Sequence, residues 1–321
     1  MPDIVCLGEI LVDMTSQQGP AGTLYEPNPG GAPANVAVAV SRLGGKAGFI
    51  GSVGKDFFGD LLRHTLEANG VDMRCLRATP SAPTTLAFVH LDGRGERSFS
   101  FYRSPGADLF LQWGVEEKAL MDSCRIFHFG SLSMTRSSSK RMTKKALSYA
   151  RKRGKIVSFD PNLRPSLWKS LREARNTILS VVKKVHIFKM SEEELLFLSG
   201  YTDFSKGLTW ARELGLPLVV ITRGSEGVVC LYHGAMLSTG SYRVEVVDTT
   251  GAGDAFVGGF LFRLVQETDI FSLSNERMLS HLQYASVVAA LTVSRRGAIP
   301  ALPFKEEVER FLESYQPQTT V

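Results

Sequence analysis

The chain has 321 residues, 44% of them hydrophobic and 21% charged, with a formal net charge of +5. That composition fits a globular protein with one large α/β domain and a small appendage, and neither repeats nor low-complexity linkers interrupt it. No apolar run approaches the ~20 residues that cross a bilayer, no signal-peptide pattern opens the chain, and Cys6, Cys75, Cys124 and Cys230 lack metal or disulfide spacing, so a reduced, cytoplasmic protein with no membrane partner is expected.

Residues 3–10 have the apolar pattern of a buried strand, closed by Gly8-Glu9, with Asp13 shortly beyond. An acid past the carboxyl end of a parallel strand stands where such sheets bind ligands, although a turn residue would look the same. Gly30-Gly31-Ala32-Pro33-Ala34-Asn35 then opens a helix, with Pro33 in its first turn and small apolar residues from Ala34 to Leu43 suited to close packing on a sheet. Asn35 is the polar exception on that helix. Its partner is either the backbone, as a cap, or a sugar hydroxyl. Residues 48–56 imitate a P-loop but fail twice: five residues separate Gly48 from Gly54, and Asp56 stands where Ser or Thr would bind magnesium. No Gly-x-Gly-x-x-Gly follows the first strand, so a nicotinamide-binding fingerprint is missing. Residues 84–91 and 96–102 alternate around Asp92-Gly93-Arg94-Gly95, a hairpin expected to stand off the main sheet as a lid or dimerisation flap.

From residue 125 strand and helix patterns alternate. Strands are expected at 125–130, 156–160, 185–190 and 218–222, helices at 137–153, 170–182 and 191–198, and further helices at 276–294 and 304–314. This alternation predicts a doubly wound, mostly parallel central sheet flanked by helices. Nine Lys or Arg and no acid lie in residues 136–155; without interleaved aromatics this reads as a solvated helix face and not as a nucleic-acid site. The six histidines show no metal-ligand spacing.

The chemistry concentrates at Asp248-Thr249-Thr250-Gly251-Ala252-Gly253-Asp254. A β-like run at 242–247 precedes it and an apolar helical segment at 255–265 follows, so it reads as strand, tight loop and helix N-terminus. Gly251 and Gly253 allow a sharp turn and close backbone approach, and the first-turn N–H groups suit an anion such as phosphate. Asp254 at the mouth can accept a proton from an attacking hydroxyl, as phosphoryl transfer to an alcohol requires; a helix cap and a plain turn would use the same residues.

Together these stretches resemble the ribokinase-like (PfkB) carbohydrate kinases over nearly the whole chain. Gly30 to Ala37 is similar to that family's N-terminal signature, Gly51 to Asp56 to a further stretch, and Asp248 to Leu261 to its C-terminal signature. Phe101 to Asp108, Asp160 to Arg164, Lys189 to Glu194 and Gly297 to Pro303 look like those of fructokinases. The resemblance implies ATP-dependent phosphorylation of a sugar hydroxyl, with Asp254 as base and the amides of Gly251, Ala252 and Gly253 as anion hole. It implies that Asp13, Gly30, Gly31 and Asn35 grip the sugar, with Arg103 and Arg164 near its far side, and that Lys189, Ser191, Thr222, Gly224, Gly227 and Ser286 belong to the ATP site. Glu194 would organise Mg2+ indirectly, and Asp248 and Thr250 would form a K+ site with carbonyls of residues 293–297. The 6-hydroxyl of fructose is the leading acceptor, followed by 2-keto-3-deoxygluconate and then ribose or nucleosides; a sugar-binding regulator without turnover is the reading from another class. A lid of residues 12–30 and 84–108, dimerising with a second copy, completes the expectation.

Overall fold

In the computed structural model, which describes residues 1–19, 22–91 and 97–314, the first strand sets the pattern for the rest. β1 (Ile4–Leu7) is apolar at every position: Ile4 and Cys6 face one core, Val5 and Leu7 the other. A strand buried on both faces requires helices above and below it. The first half continues with β2 (Leu11–Gly19), β3 (Gly22–Gly30), α1 (Ala32–Arg42), β4 (Ala47–Gly54), α2 (Phe57–Ala68), β5 (Asp72–Thr79), β6 (Leu86–Leu91) and β7 (Arg97–Tyr102). Next come α3 (Val115–Ser123), β8 (Ile126–Gly130), α4 (Ser137–Lys152), β9 (Ile156–Asp160), α5 (Leu171–Val182), β10 (Ile187–Ser191), α6 (Glu192–Ser199) and α7 (Phe204–Glu213). The last part holds β11 (Leu218–Thr222), β12 (Val228–Tyr232), β13 (Ala235–Thr239), α8 (Ala252–Val265), α9 (Asn275–Val293) and α10 (Lys305–Ser314).

Nine strands form the central sheet in the order β13-β12-β11-β10-β9-β8-β1-β4-β5. Every pairing is parallel except β11–β12 and β12–β13, so β12 alone runs backwards. On one face Phe127 and Phe129 of β8, Phe159 of β9 and Phe188 of β10 stack in a row. On the other, α8 lies against α1 and α9. A Cβ on Gly258 would stand 2.4 Å from the Ala39 Cβ, and one on Gly259 2.9 Å from Val288 Cγ2, so glycine is what lets the three helices close.

The strands and helices expected from residue 125 to 222, and the two C-terminal helices, are present within two residues at each end. One reading is corrected. Residues 242–247 alternate like a strand but form none, because the sheet stops at β13. The segment instead ends with Val247 and Asp248 both donating N–H to the Val293 carbonyl, and Val244 and Val246 wall a cavity.

A second sheet of four strands, ordered β3-β2-β6-β7, stands beside the first. Asp13 lies within it on β2, paired with Asn28, and not in a turn after β1. Tyr25, Phe88 and Tyr102 pack ring to ring across this sheet, with Tyr102 and Leu24 exposed. The expected hairpin turn at 92–95 lies outside the described residues. Asp56, which spoiled the P-loop reading, caps α2: its carboxylate accepts from Gly59 N and from both the N–H and the hydroxyl of Thr84. No described helix is long and apolar enough to cross a membrane.

Candidate active site

Gly251 caps the start of α8; its φ of 77° is left-handed and its Cβ, if present, would sit 3.2 Å from Ala298 Cα. That position admits glycine without strain. The turn it makes brings Asp254 into the first turn of α8, buried beneath two amides. Asn35 Nδ2 donates to Asp254 Oδ2 at 2.7 Å and Asn162 Nδ2 to Oδ1 at 3.0 Å. Burial pushes the Asp254 pKa up to about 6; Asp160 adds to this, while the Asn35 hydrogen bond, Lys189 and Arg164 act the other way. A carboxylate held by two donors with a pKa near neutrality suits proton acceptance from an alcohol.

Beside it Lys189 Nζ contacts Asp160 Oδ2 at 2.9 Å, both side chains buried. Burial works against the Lys189 charge, but Asp160 and Glu194 outweigh it and raise its pKa, so the ammonium persists 3.0 Å from where a Gly253 Cβ would lie. Glu194 accepts from Leu163 N at 2.7 Å and Ser191 N at 2.9 Å, and Ser191 Oγ accepts from Glu194 N in return, a capping box that ties α6 to the 160–164 turn. Asp248 accepts from Thr250 N at 2.7 Å and Gly297 N at 3.0 Å, joining the loop before α8 to the loop after α9.

Two cavities meet at the start of α8. The first, about 720 Å³, is lined by Glu9, Asp13, Gly31, Asn35, Asn162 and Arg164 among others, and Lys189, Ser191 and Glu194 also lie on its wall. The second, about 620 Å³, has Thr222, Gly224, Gly227 and Ser286 on its wall. Thr249 and Gly253 line both. Of the expected sugar residues Asp13, Gly31, Asn35 and Arg164 line the first cavity, and of the expected nucleotide residues Thr222, Gly224, Gly227 and Ser286 line the second, while Lys189 and Ser191, expected with the nucleotide, lie on the first. Gly30 is packed on Asp13: a Cβ there would meet Asp13 Oδ2 at 2.4 Å.

Arg103 departs furthest from its expected place. Among the described residues it is absent from the first cavity's wall; its guanidinium is buried and donates to Asp108, to Thr135 Oγ1 at 2.8 Å and to the Leu132 carbonyl at 3.1 Å. Phe101 and Leu132 line the cavity in its place. Three residues went unassigned from the sequence. Asn162 holds Asp254 from a left-handed backbone (φ 43°), and its place in Asp160-Pro161-Asn162 was the available signal. Asp160 is the partner of Lys189. Glu9 is buried, its Oε1 accepting from Ala32 N at 3.3 Å and its Oε2 without a partner among the described residues. Burial raises the Glu9 pKa to about 8 and that of Asp13 to about 7.

The sequence profile of the pfkB family carbohydrate kinases matches residues 1–305. The chain is 42% identical to probable fructokinase-6, chloroplastic, of Arabidopsis thaliana, over 97% of this chain and 82% of that one. The solved fructokinase of Xylella fastidiosa with bound ATP superposes with a TM-score of 0.89 at 37% identity, covering 98% of this chain and 99% of that one. A double mutant of the Vibrio cholerae O395 fructokinase, in fructose, ADP and potassium ion bound form, superposes with a TM-score of 0.88 at 36% identity, covering 97% and 98%. With matches of this extent, two cavities divided by a glycine turn and an aspartate buried at that turn, the chain belongs to the pfkB family of carbohydrate kinases.

Proposed function

We propose that this chain is an ATP-dependent fructokinase that converts fructose and ATP to fructose 6-phosphate and ADP. The observation that carries it is the shared wall: among the described residues, the two cavities have in common only Thr249 and Gly253, in the turn that presents Asp254. Fructose lies in the first cavity, with Asp13, Gly30 and Gly31, Asn35 and Arg164 around it. Asn35 Oδ1, buried with no partner among the described residues, accepts from a sugar hydroxyl. The 6-hydroxyl faces Asp254, which orients it and takes its proton as the new O–P bond forms. The γ-phosphate rests on the amides of Gly251, Ala252 and Gly253, where the positive end of α8 meets developing charge, with the Lys189 ammonium alongside. Arg103 acts as a buried support for this wall.

The described residues contain no cluster of three or more metal-ligating side chains, so magnesium would be carried mainly on the nucleotide phosphates. Glu194, both of whose oxygens accept backbone amides, fits an indirect role: it holds the turn beside the phosphates. The hard oxygen set of the Asp248 carboxylate, Thr250 and the carbonyls of residues 293–297 fits a monovalent cation such as potassium. When bound, these cations offset phosphate charge.

The neutral ketohexose is favoured over 2-keto-3-deoxygluconate because the two-arginine clamp that a carboxylate prefers is reduced to Arg164, while buried Glu9 and Asp13 line the same wall. The four cysteines are buried free thiols, which suits a reducing cytoplasm. The four-stranded sheet, with residues 12–30 and 84–108, serves as lid, and its exposed Leu24 and Tyr102 suit pairing with a second copy. A coupled ATP-turnover assay over fructose, 2-keto-3-deoxygluconate, ribose and glucose tests the reading: turnover with fructose should lead. Preference for the keto acid would refute the substrate, and silence on all four would refute the kinase.

A further inference from the structure

Among the described residues six buried side-chain atoms find no hydrogen-bond partner, and two of them, Asn35 Oδ1 and Glu9 Oε2, belong to residues on the wall of the first cavity. Asn35 Oδ1 is matched above to a sugar hydroxyl, whereas Glu9 has no part in the reaction so far. It lies between β1 and β2 and is 2% exposed. Its position is fixed from two sides. Oε1 accepts at 3.3 Å from Ala32 N, one of the N–H groups that the start of α1 leaves over, and the Glu9 carbonyl stands 2.7 Å from where a Gly31 Cβ would lie. Oε2 remains, out of water and outside the protein's own hydrogen bonds, an arrangement that costs free energy until a ligand completes it.

Burial holds the Glu9 carboxyl towards its uncharged form; the Glu9 N–H and Arg103 oppose this, and Asp108 and Asp254 add to it. With Oε1 engaged by an N–H, the proton belongs on Oε2. An uncharged acid meets a hydroxyl without repulsion, and the hydroxyl can return the hydrogen bond when the acid ionises, so the contact survives either state. A ligand carboxylate has no proton to return. Accepting the placement of fructose in this cavity proposed above, we infer that Glu9 is a specificity-determining residue: Oε2 pairs with a fructose hydroxyl other than the 6-hydroxyl, while Oε1 stays on Ala32 N. The 6-hydroxyl is set aside because it faces Asp254. Ala32 and Asn35 stand three positions apart in the first turn of α1, so the contacts of Glu9 and Asn35 share one helix face.

The test uses the full chain with ATP and magnesium at pH 7. Its substrates are fructose, the 1-, 3- and 4-deoxy sugars, and 2,5-anhydromannitol, which lacks the 2-hydroxyl. Glu9→Met keeps the length of the side chain and removes both oxygens; it should lower kcat/KM for fructose by about 10- to 10²-fold, mostly through KM, with ADP affinity by calorimetry unchanged. Glu9→Gln keeps an acceptor for Ala32 N and a donor in place of Oε2, and should stay within about fivefold of the parent chain. The decisive result is a mismatch: one analogue, poor with the parent chain, loses nothing further in Glu9→Met, while the others lose as much as fructose does. An equal loss on all five sugars, a parent-like KM in Glu9→Met, or Glu9→Gln as poor as Glu9→Met would overturn the inference and leave Glu9 a support for Gly31 and Ala32. Should Glu9→Met not fold, Glu9→Asp, which withdraws the carboxyl by one methylene, carries the same two outcomes. Silence of the parent chain on fructose would refute the catalytic reading separately. Calorimetric titration of fructose then decides: an affinity about 10-fold or more weaker in the variant upholds the pairing, and equal affinities or no binding to the parent chain overturn it.

Discussion

Replacing Asn162 by glycine isolates one of the two hydrogen bonds that hold the proposed base. Glycine accepts the left-handed backbone at φ 43°, so the 160–164 turn keeps its path and only the amide is lost. That amide donates to Asp254 Oδ1 at 3.0 Å, whereas Asn35 keeps its own bond to Oδ2. A hydrogen bond to a charged group contributes about 1.5–3 kcal/mol, and a pKa unit corresponds to about 1.4 kcal/mol; the lower end applies to this partly buried contact. The Asp254 pKa, about 6 in the intact chain, should therefore rise by about one unit. A base with a higher pKa is protonated over a wider acid range, so the acid limb of kcat/KM for fructose moves from near pH 6 to near pH 7. The alkaline plateau falls only a few-fold. The measurement is a coupled assay from pH 5 to 9. A uniform loss at every pH with the acid limb unmoved would refute the idea that Asn162 acts through the charge on Asp254.

Asp254→Asn should lower kcat by about 10²-fold or more while fructose and ADP affinities, read by calorimetry, stay within a few-fold. Asp108→Asn leaves the Arg103 guanidinium buried without its counter-charge and should reduce unfolding free energy by about 3–5 kcal/mol in denaturant titration; a loss under 1 kcal/mol would show that water reaches the pair. For Glu9, whose folded pKa is raised to about 8, the native state binds more protons than the unfolded state between about pH 4.5 and 8. Stability from this group therefore falls as pH rises through that window. Glu9→Gln should be more stable than the parent chain at pH 8, with the gap closing by pH 5; an equal gap at both would disprove the titration.

The main sheet was legible because its strands are short apolar runs between helical stretches, and 125–222 carries that rhythm without interruption. The glycine turn and Asp254 were legible for a related reason: backbone strain and a helix start are local properties. Residues 242–247 mislead because alternation reports only a half-buried surface, and a cavity wall is one. Asn162 and Asp254 are 92 positions apart, and no local pattern announces a hydrogen bond across that distance. Arg103 shows the converse. The resemblance implied a place beside the substrate, but the direction of its side chain depends on Asp108, Thr135 and Leu132 assembling around it.

The glycine contacts of α8 have a mechanical meaning. Asn35 rides on α1, Asp254 on α8 and Ser286 on α9, and Gly258 and Gly259 press these helices together without intervening side chains. The three form an anvil behind both cavities, with Asn35 and Asp254 on the wall of the first and Ser286 on that of the second. On the lid reading proposed above, motion that shuts the first cavity falls to the four-stranded sheet, which supplies the hammer. Mutations that enlarge Gly258 or Gly259 would blunt the anvil itself, about one helical turn beyond Asp254.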